Sequence, residues 1–278
     1  MRHPAVAGSF YPATPASLQR TVDLLMAKAR KEVKPNPKAK AIICPHAGYV
    51  YSGLSAAFSF ASIENQLKLP NTTVIILGPN HTGLGKPVAV SFEDWATPIG
   101  KSTTDLPLAG AIIKSNPILT KNEAAHLAEH SIEVQLPFLQ TINPLAKIVA
   151  ICMGWQDDNT CKLVAKSIFD AVRQPAFSSR NILLLASSDF THYQSGAQAR
   201  ALDAQPIEFI KSLHASEFEE EVEVGQLSIC GHGPIAVALH YAKLAGCKSA
   251  SLLRYTNSGK ETDGNESQVV AYASFAIS

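Results

Sequence analysis

Apolar residues follow two spacings along this chain. Short unbroken runs rich in Ile, Val and Leu occur at 41–44, 74–77, 88–90, 148–152, 182–186, 251–255 and 269–276. Runs of this length suit strands covered on both faces. Between several of them the apolar positions fall at helical spacing, over 52–63, 106–114, 131–139, 159–172, 197–213 and 234–244. A further helix over about 16–31 opens the chain, and Lys34-Pro35-Asn36-Pro37-Lys38 separates it from the first strand. Alternating strands and helices predict an α/β fold, with one domain over residues 1–278 and a central sheet flanked by helices. The pattern leaves strand order and strand direction open.

Composition changes this picture only by exclusion. With 46% hydrophobic and 17% charged residues, the chain has ample apolar surface for a core and is not of the disordered class. Twenty-four basic residues nearly cancel twenty-three acidic ones, so nucleic acid is not an expected partner. No apolar run reaches the roughly 18 residues of a membrane span and no secretory leader is evident, so a cytoplasmic protein is expected. Five scattered cysteines without a Cys-x-x-Cys pair predict reduced thiols. The acidic run from Glu217 to Glu223 reads as the solvated side of a short helix.

The chemistry gathers where strands end. Three of them run into polar, chain-turning segments that each carry a histidine: Pro45-His46-Ala47-Gly48, Gly78-Pro79-Asn80-His81, and Ser187-Ser188-Asp189-Phe190-Thr191-His192-Tyr193. In open α/β sheets ligands bind beyond the carboxyl ends of the strands, so these histidines are expected to converge although they are distant in sequence. Cys230, in Ile229-Cys230-Gly231-His232-Gly233-Pro234, precedes a predicted helix start. Two readings are open for it: a thiolate favoured by the helix N-terminus, fit to bind metal, or a small buried thiol. Cys44, Cys152, Cys161 and Cys247 lie in apolar surroundings and read as packing. A competing motif is His126-Leu127-Ala128-Glu129-His130, which fits the His-x-x-Glu-His arrangement of helical zinc peptidases and gives zinc metallopeptidase as another reading.

The same segments, together with Pro4-Ala5-Val6-Ala7-Gly8-Ser9-Phe10-Tyr11-Pro12, Glu129-His130-Ser131-Ile132-Glu133 and Val269-Val270-Ala271-Tyr272, resemble the Memo family, whose prokaryotic members are called component B of the AmmeMemoRadiSam system. The likeness runs nearly end to end. It implies a fold similar to class III extradiol dioxygenases, enzymes that open catechol-like rings with non-haem Fe(II). It places His46, His81 and Cys230 as metal ligands, with Cys230 where those enzymes have a carboxylate, and His192 at the catalytic position with Asp189 beside it. The catalytic pair expected is then His192 moving a proton and Asp189 orienting it. His130 and Glu133 are expected to border the pocket, and Tyr49 and Tyr193 to flank a flat substrate.

A thiolate is softer than a carboxylate, so Cu or Zn join Fe(II) as candidate ions. The function expected is a metal-dependent oxidoreductase acting on a small aromatic substrate with O₂. The alternative is a non-catalytic metal-binding or partner-binding protein, with a radical-SAM system protein as a partner that the resemblance implies.

Overall fold

The computed structural model describes residues 1–278. Helix α1 (Pro15–Glu32) opens the fold, followed by β1 (Ala41–Cys44), α2 (Tyr49–Ser62), a single turn α3 (Glu64–Leu67) and β2 (Thr72–Pro79). Three short strands come next, β3 (Val88–Val90), β4 (Trp95–Thr97) and β5 (Gly100–Thr104), then α4 (Leu106–Ser115) and β6 (Leu119–Lys121). The middle of the chain supplies α5 (Leu136–Ile142), β7 (Lys147–Met153), α6 (Asp158–Val172), β8 (Asn181–Ser187) and β9 (His192–Gln194). The last third supplies α7 (Gly196–Lys211), α8 (Ala215–Val224), α9 (His232–Leu244), β10 (Ala250–Asn257), the turn α10 (Ser258–Glu261) and β11 (Val269–Ile277).

The sheet runs β10-β11-β1-β8-β2-β7-β3-β6. Its centre is parallel across β1, β8, β2 and β7, while β11 joins β1, β10 joins β11 and β3 joins β7 antiparallel. The sheet is therefore mixed. Alternation along each central strand divides its side chains between two cores. Ile42, Val74, Ile76, Ile148, Ala150, Leu183 and Leu185 share one core with residues of α1, α2 and α5. Ala41, Ile43, Ile75, Leu77, Val149, Ile151, Leu184 and Ala186 face the other, with residues of α4, α6, α7, α8 and α9. Burial on both faces explains why these strands read as continuous apolar runs.

The strands expected from the sequence are present, and four more (β4, β5, β6 and β9) are not marked by apolar runs. The helix expected at 131–139 is displaced: Ser131 and Ile132 stay in irregular backbone, a 3-10 turn covers Glu133–Gln135, and α5 begins at Leu136. Ser131 caps nothing. Its hydroxyl instead donates to the Pro79 carbonyl (3.2 Å), which ties this segment to the end of β2.

Candidate metal centre

Because β1, β8, β2 and β7 are adjacent and parallel, their carboxyl ends open on one edge of the sheet. Cys44 pairs with Ser187, and Ala186 with Leu77. His46, Asp189 and His81 each lie two residues beyond the strand that delivers them, so register alone brings them close. The His46 and His81 rings stand edge to face with centroids 5.1 Å apart. Cys230 comes from the loop before α9. One donor atom from each of His46, His81 and Cys230 lies within 4.8 Å of the other two.

The hydrogen-bond network fixes which nitrogens are free. The Ser187 hydroxyl spends its single proton on the Ser131 carbonyl (2.7 Å) and accepts from the Gln135 amide (3.0 Å). His46 Nδ1, 2.9 Å from that hydroxyl, must then be the donor, which leaves the Nε2 lone pair available. Nε2 faces Cys230 Sγ at 3.1 Å. His81 Nδ1 donates to Glu129 Oε1 (2.9 Å), so its Nε2 is likewise free. Glu129 also accepts the backbone N–H of His81, His130 and Ser131. A carboxylate so committed fixes the orientation of the His81 ring and is poorly placed to bind an ion itself.

Protonation states agree with this division of roles. Burial of Glu129 favours its neutral acid, but the hydrogen bonds it accepts from His81 and from the Ser131 backbone outweigh it and hold the carboxyl at about 2. Burial and the neighbouring imidazoles of His81 and His130 hold His46 well below its ordinary value, so it is neutral. Burial and the nearby Asp189 push the Cys230 thiol up. The helix N-terminus therefore does not by itself yield a thiolate, and a cation between sulfur and imidazole would have to displace the thiol proton. Two imidazoles and a thiol that becomes a soft anion fit a first-row transition ion or zinc.

The Cys230 loop is built for close approach. Gly231 N–H donates to the Ser188 hydroxyl (3.0 Å), and a methyl group added at Gly231 would collide with the Ser187 carbonyl oxygen. The Gln156 side chain spans the loop, donating to the Cys230 carbonyl (3.1 Å) and accepting from Gly233 N–H (2.9 Å). The Asp189 backbone N–H points at Cys230 Sγ (3.3 Å). Sulfur thus rests against the backbone just beyond β8, while the Gln156 side chain, beyond β7, braces its loop.

Above these groups opens a cavity of about 540 Å³, lined by His46, His81, His130, Asp189, His192 and the aromatic rings of Phe10, Tyr51, Tyr193 and Tyr272. His130 stacks on His81 with centroids 4.6 Å apart, so it borders the pocket as expected. Burial holds His130 at about 4. Glu133 does not border it: it lies beneath, fully buried, where it pairs with Arg2 and accepts the Tyr11 hydroxyl and the N–H groups of Ala5 and Val6. Its role is to hold the N-terminal segment under the site. Tyr49 does not line the cavity as expected: it is buried, donating to the Val134 carbonyl (2.6 Å), and Tyr51 stands in the lining instead.

His192 is on the cavity wall, but Asp189 does not orient it. His192 Nδ1 lies 2.7 Å from the Ser228 carbonyl and its backbone N–H donates to the Ser228 hydroxyl. A carbonyl can only accept, so Nδ1 carries the proton and Nε2 is free. Asp189 Oδ1 accepts the His46 backbone N–H (2.8 Å), and burial pushes this carboxyl to about 6. Asp189 braces the His46 loop. His232 turns away from the pocket and pairs with Glu219 (2.8 Å).

The zinc-peptidase arrangement is not formed. Residues 126–130 run through a turn, a bend and irregular backbone, not a helix, so His126 and His130 do not share a helical face. His126 is fully buried edge-on to Trp95 (5.5 Å between centroids), and neither ring nitrogen has a hydrogen-bond partner. Glu129 serves His81. The residues that sequence reasoning missed are Ser187, Gln135 and Ser228. Ser187 stood within the Ser-Ser-Asp segment, but serine and glutamine carry no spacing signal that marks them as partners of a ligand.

An α/β sheet carrying two oriented imidazoles and a cysteine at the carboxyl edge of its parallel strands defines the class of the protein. Comparison with known proteins gives its family. The model of the family described as Memo-like protein matches residues 2–276, and the chain belongs to that family. A MEMO1 family protein of Archaeoglobus fulgidus is 43% identical over 276 residues, covering 98% of each chain. One from Methanosarcina mazei is 40% identical over 278 residues, covering 100% of this chain and 99% of its own. Among solved structures, an uncharacterized protein from Escherichia coli K12 shares the fold, with a TM-score of 0.54 at 13% identity, over 87% of this chain and 100% of that one.

Proposed function

We propose that this chain holds one metal ion on His46, His81 and Cys230 and is an oxidoreductase that brings a small aromatic substrate together with O₂. The observation that carries the reading is the pair of fixed tautomers: Ser187 and Glu129 occupy the Nδ1 atoms of His46 and His81 and leave both Nε2 atoms free beside Cys230. Holding the second nitrogen is what a ligand histidine requires. Fe(II) is the first candidate, from the resemblance to extradiol dioxygenases, and Cu or Zn also suit two nitrogens and a sulfur. A redox ion there would supply Lewis acidity and electron transfer.

The chain's own groups account for binding and proton movement. Phe10, Tyr51, Tyr193 and Tyr272 line the cavity and offer flat apolar surfaces to an aromatic ring. His192, anchored through Nδ1 on Ser228, presents Nε2 to accept or return a proton. Asp189, buried at the floor, fixes the His46 loop while this happens.

The test is oxygen uptake by the iron-loaded protein over a panel of catechols and hydroquinones. With any substrate turned over, His192→Ala should slow turnover by about 100-fold or more at unchanged metal content, the usual scale of a lost general base. Unchanged turnover would remove His192 from the mechanism. Stoichiometric metal with no oxygen uptake across the panel would favour a metal-holding or partner-binding role over catalysis.

A further inference from the structure

The cavity above the candidate metal centre contains a hydroxyl that its own walls leave unused. Tyr272 stands on β11, opposite Thr256 of β10. On the other side its neighbour Ala271 accepts from the Phe190 N–H (2.8 Å) and donates to the Thr191 carbonyl (2.9 Å). The side chain is therefore mounted on backbone that is fixed from both sides. Its ring is packed out of solvent, only 1% of the residue being exposed, yet Tyr272 lines the cavity.

A buried tyrosine hydroxyl ordinarily finds a partner inside the protein. Tyr11 and Tyr49, beneath the site, both do so, on Glu133 and on the Val134 carbonyl. Tyr272 differs. The Ser258 hydroxyl beside it bears on the phenol oxygen as a donor and accepts the Val270 N–H (3.1 Å), so the Tyr272 proton has no acceptor in the chain. Unlike the ring, the hydroxyl is not sealed off and keeps access to the cavity. Burial, with the charge of Asp189 and the neighbouring Tyr51, pushes this group up, so it serves as a donor and not as a base.

The rest of the lining limits what that donor can meet. Among the fifteen lining residues there is no lysine or arginine, and the one carboxyl, that of Asp189, accepts the His46 backbone N–H. A ring substituent carrying a carboxylate or phosphate would lose its water here without gaining a counter-charge from the walls. Resting on the reading of this cavity as the substrate pocket, we propose that Tyr272 is a substrate-binding residue. Its hydroxyl donates to an oxygen of an aromatic substrate that carries no anionic side group.

The test is calorimetric titration of the Fe(II)-loaded protein without oxygen, so that binding is read without turnover. The probes are catechol and 3,4-dihydroxybenzoate, which present the same two hydroxyls and differ by one carboxylate. Catechol should bind saturably and 3,4-dihydroxybenzoate about tenfold or more weakly. Tyr272→Phe keeps the ring and removes no hydrogen bond that Tyr272 donates within the chain, so it should fold with the thermal midpoint and metal content of the parent. It should weaken catechol about fivefold, the scale of one hydrogen bond. Unchanged catechol affinity in metal-replete Tyr272→Phe would overturn the role of Tyr272, and equal or tighter binding of 3,4-dihydroxybenzoate would overturn the uncharged substrate. Binding of neither probe to the metal-replete parent would instead overturn the substrate-pocket reading, and this proposal with it.

Discussion

At the residue scale, the site is a matter of proton placement. His46 and His81 are ordinary imidazoles until Ser187 and Glu129 decide which nitrogen carries hydrogen. Substituting a partner of this kind commonly lowers metal affinity by about 10–100-fold. Glu129→Gln should therefore weaken Fe(II) or Zn(II) binding on that scale in competition with a chromogenic chelator, while leaving one ion per chain at saturation. Complete loss of binding would mean that Glu129 is itself a ligand, and unchanged affinity would mean that His81 is not. That His46, His81 and His192 would gather at one edge was legible in the sequence because histidines just after strand ends are chemically conspicuous, whereas Cys230, in the loop before α9, was marked out only by the family resemblance. Ser187, Gln135 and Ser228 were not, because a hydroxyl, an amide or a carbonyl takes its meaning from what folding sets beside it. Asp189 shows the reverse case. Proximity in sequence to His192 suggested a partnership, but the chain turns between them and delivers Asp189 to the His46 backbone instead.

At the scale of elements, the strand ends do most of the positioning. Runs of Ile, Val and Leu announced β1, β2, β7 and β8 because those strands are buried on both faces. Their parallel order was not legible, since alternation along one strand says nothing of its neighbour. The short strands β4, β5, β6 and β9, of three to five residues, are too brief and too polar to show a period. The helix expected at 131–139 is displaced because the apolar positions serve one 3-10 turn and α5 together, while Ser131 bonds to the end of β2. The loop carrying Cys230 makes its own prediction. A methyl group at Gly231 would meet the Ser187 carbonyl, backbone that cannot swing aside, so Gly231→Ala should displace Cys230. Overpacking of this sort typically costs about 1–3 kcal/mol, and the variant should show both a lower urea midpoint and reduced metal occupancy. Parent-like values for both would show that the loop has slack.

At the scale of the whole molecule, the mixed sheet separates two cores and leaves its carboxyl edge for chemistry. Several titratable groups are buried in this body, and His126 gives the clearest pH signature. Burial, its largest cause, holds the ring at about 4 against an ordinary 6.5. The folded state thus binds fewer protons than the unfolded state between those values, and its stability rises with pH there. Conversely, as pH falls from 7 to 5 this residue alone should remove about 2 kcal/mol. His126→Phe, which retains a ring against Trp95, should lose that increment, so that urea unfolding at pH 7 and pH 5 shows a smaller difference than in the parent. An equal difference in the two proteins would mean that His126 is solvated or paired in solution. The raised carboxyl of Asp189 contributes with opposite sign, which is why the comparison is made between variants and not read from the parent alone.

Metal content tests the ligand set directly. The protein, purified without oxygen and equally loaded with Fe(II), Cu(I) or Zn(II), should contain one ion per chain by elemental mass spectrometry, with Cys230→Ala folded but depleted of it. Absence of bound metal in the parent for all three ions, or full occupancy in folded Cys230→Ala, would contradict the account.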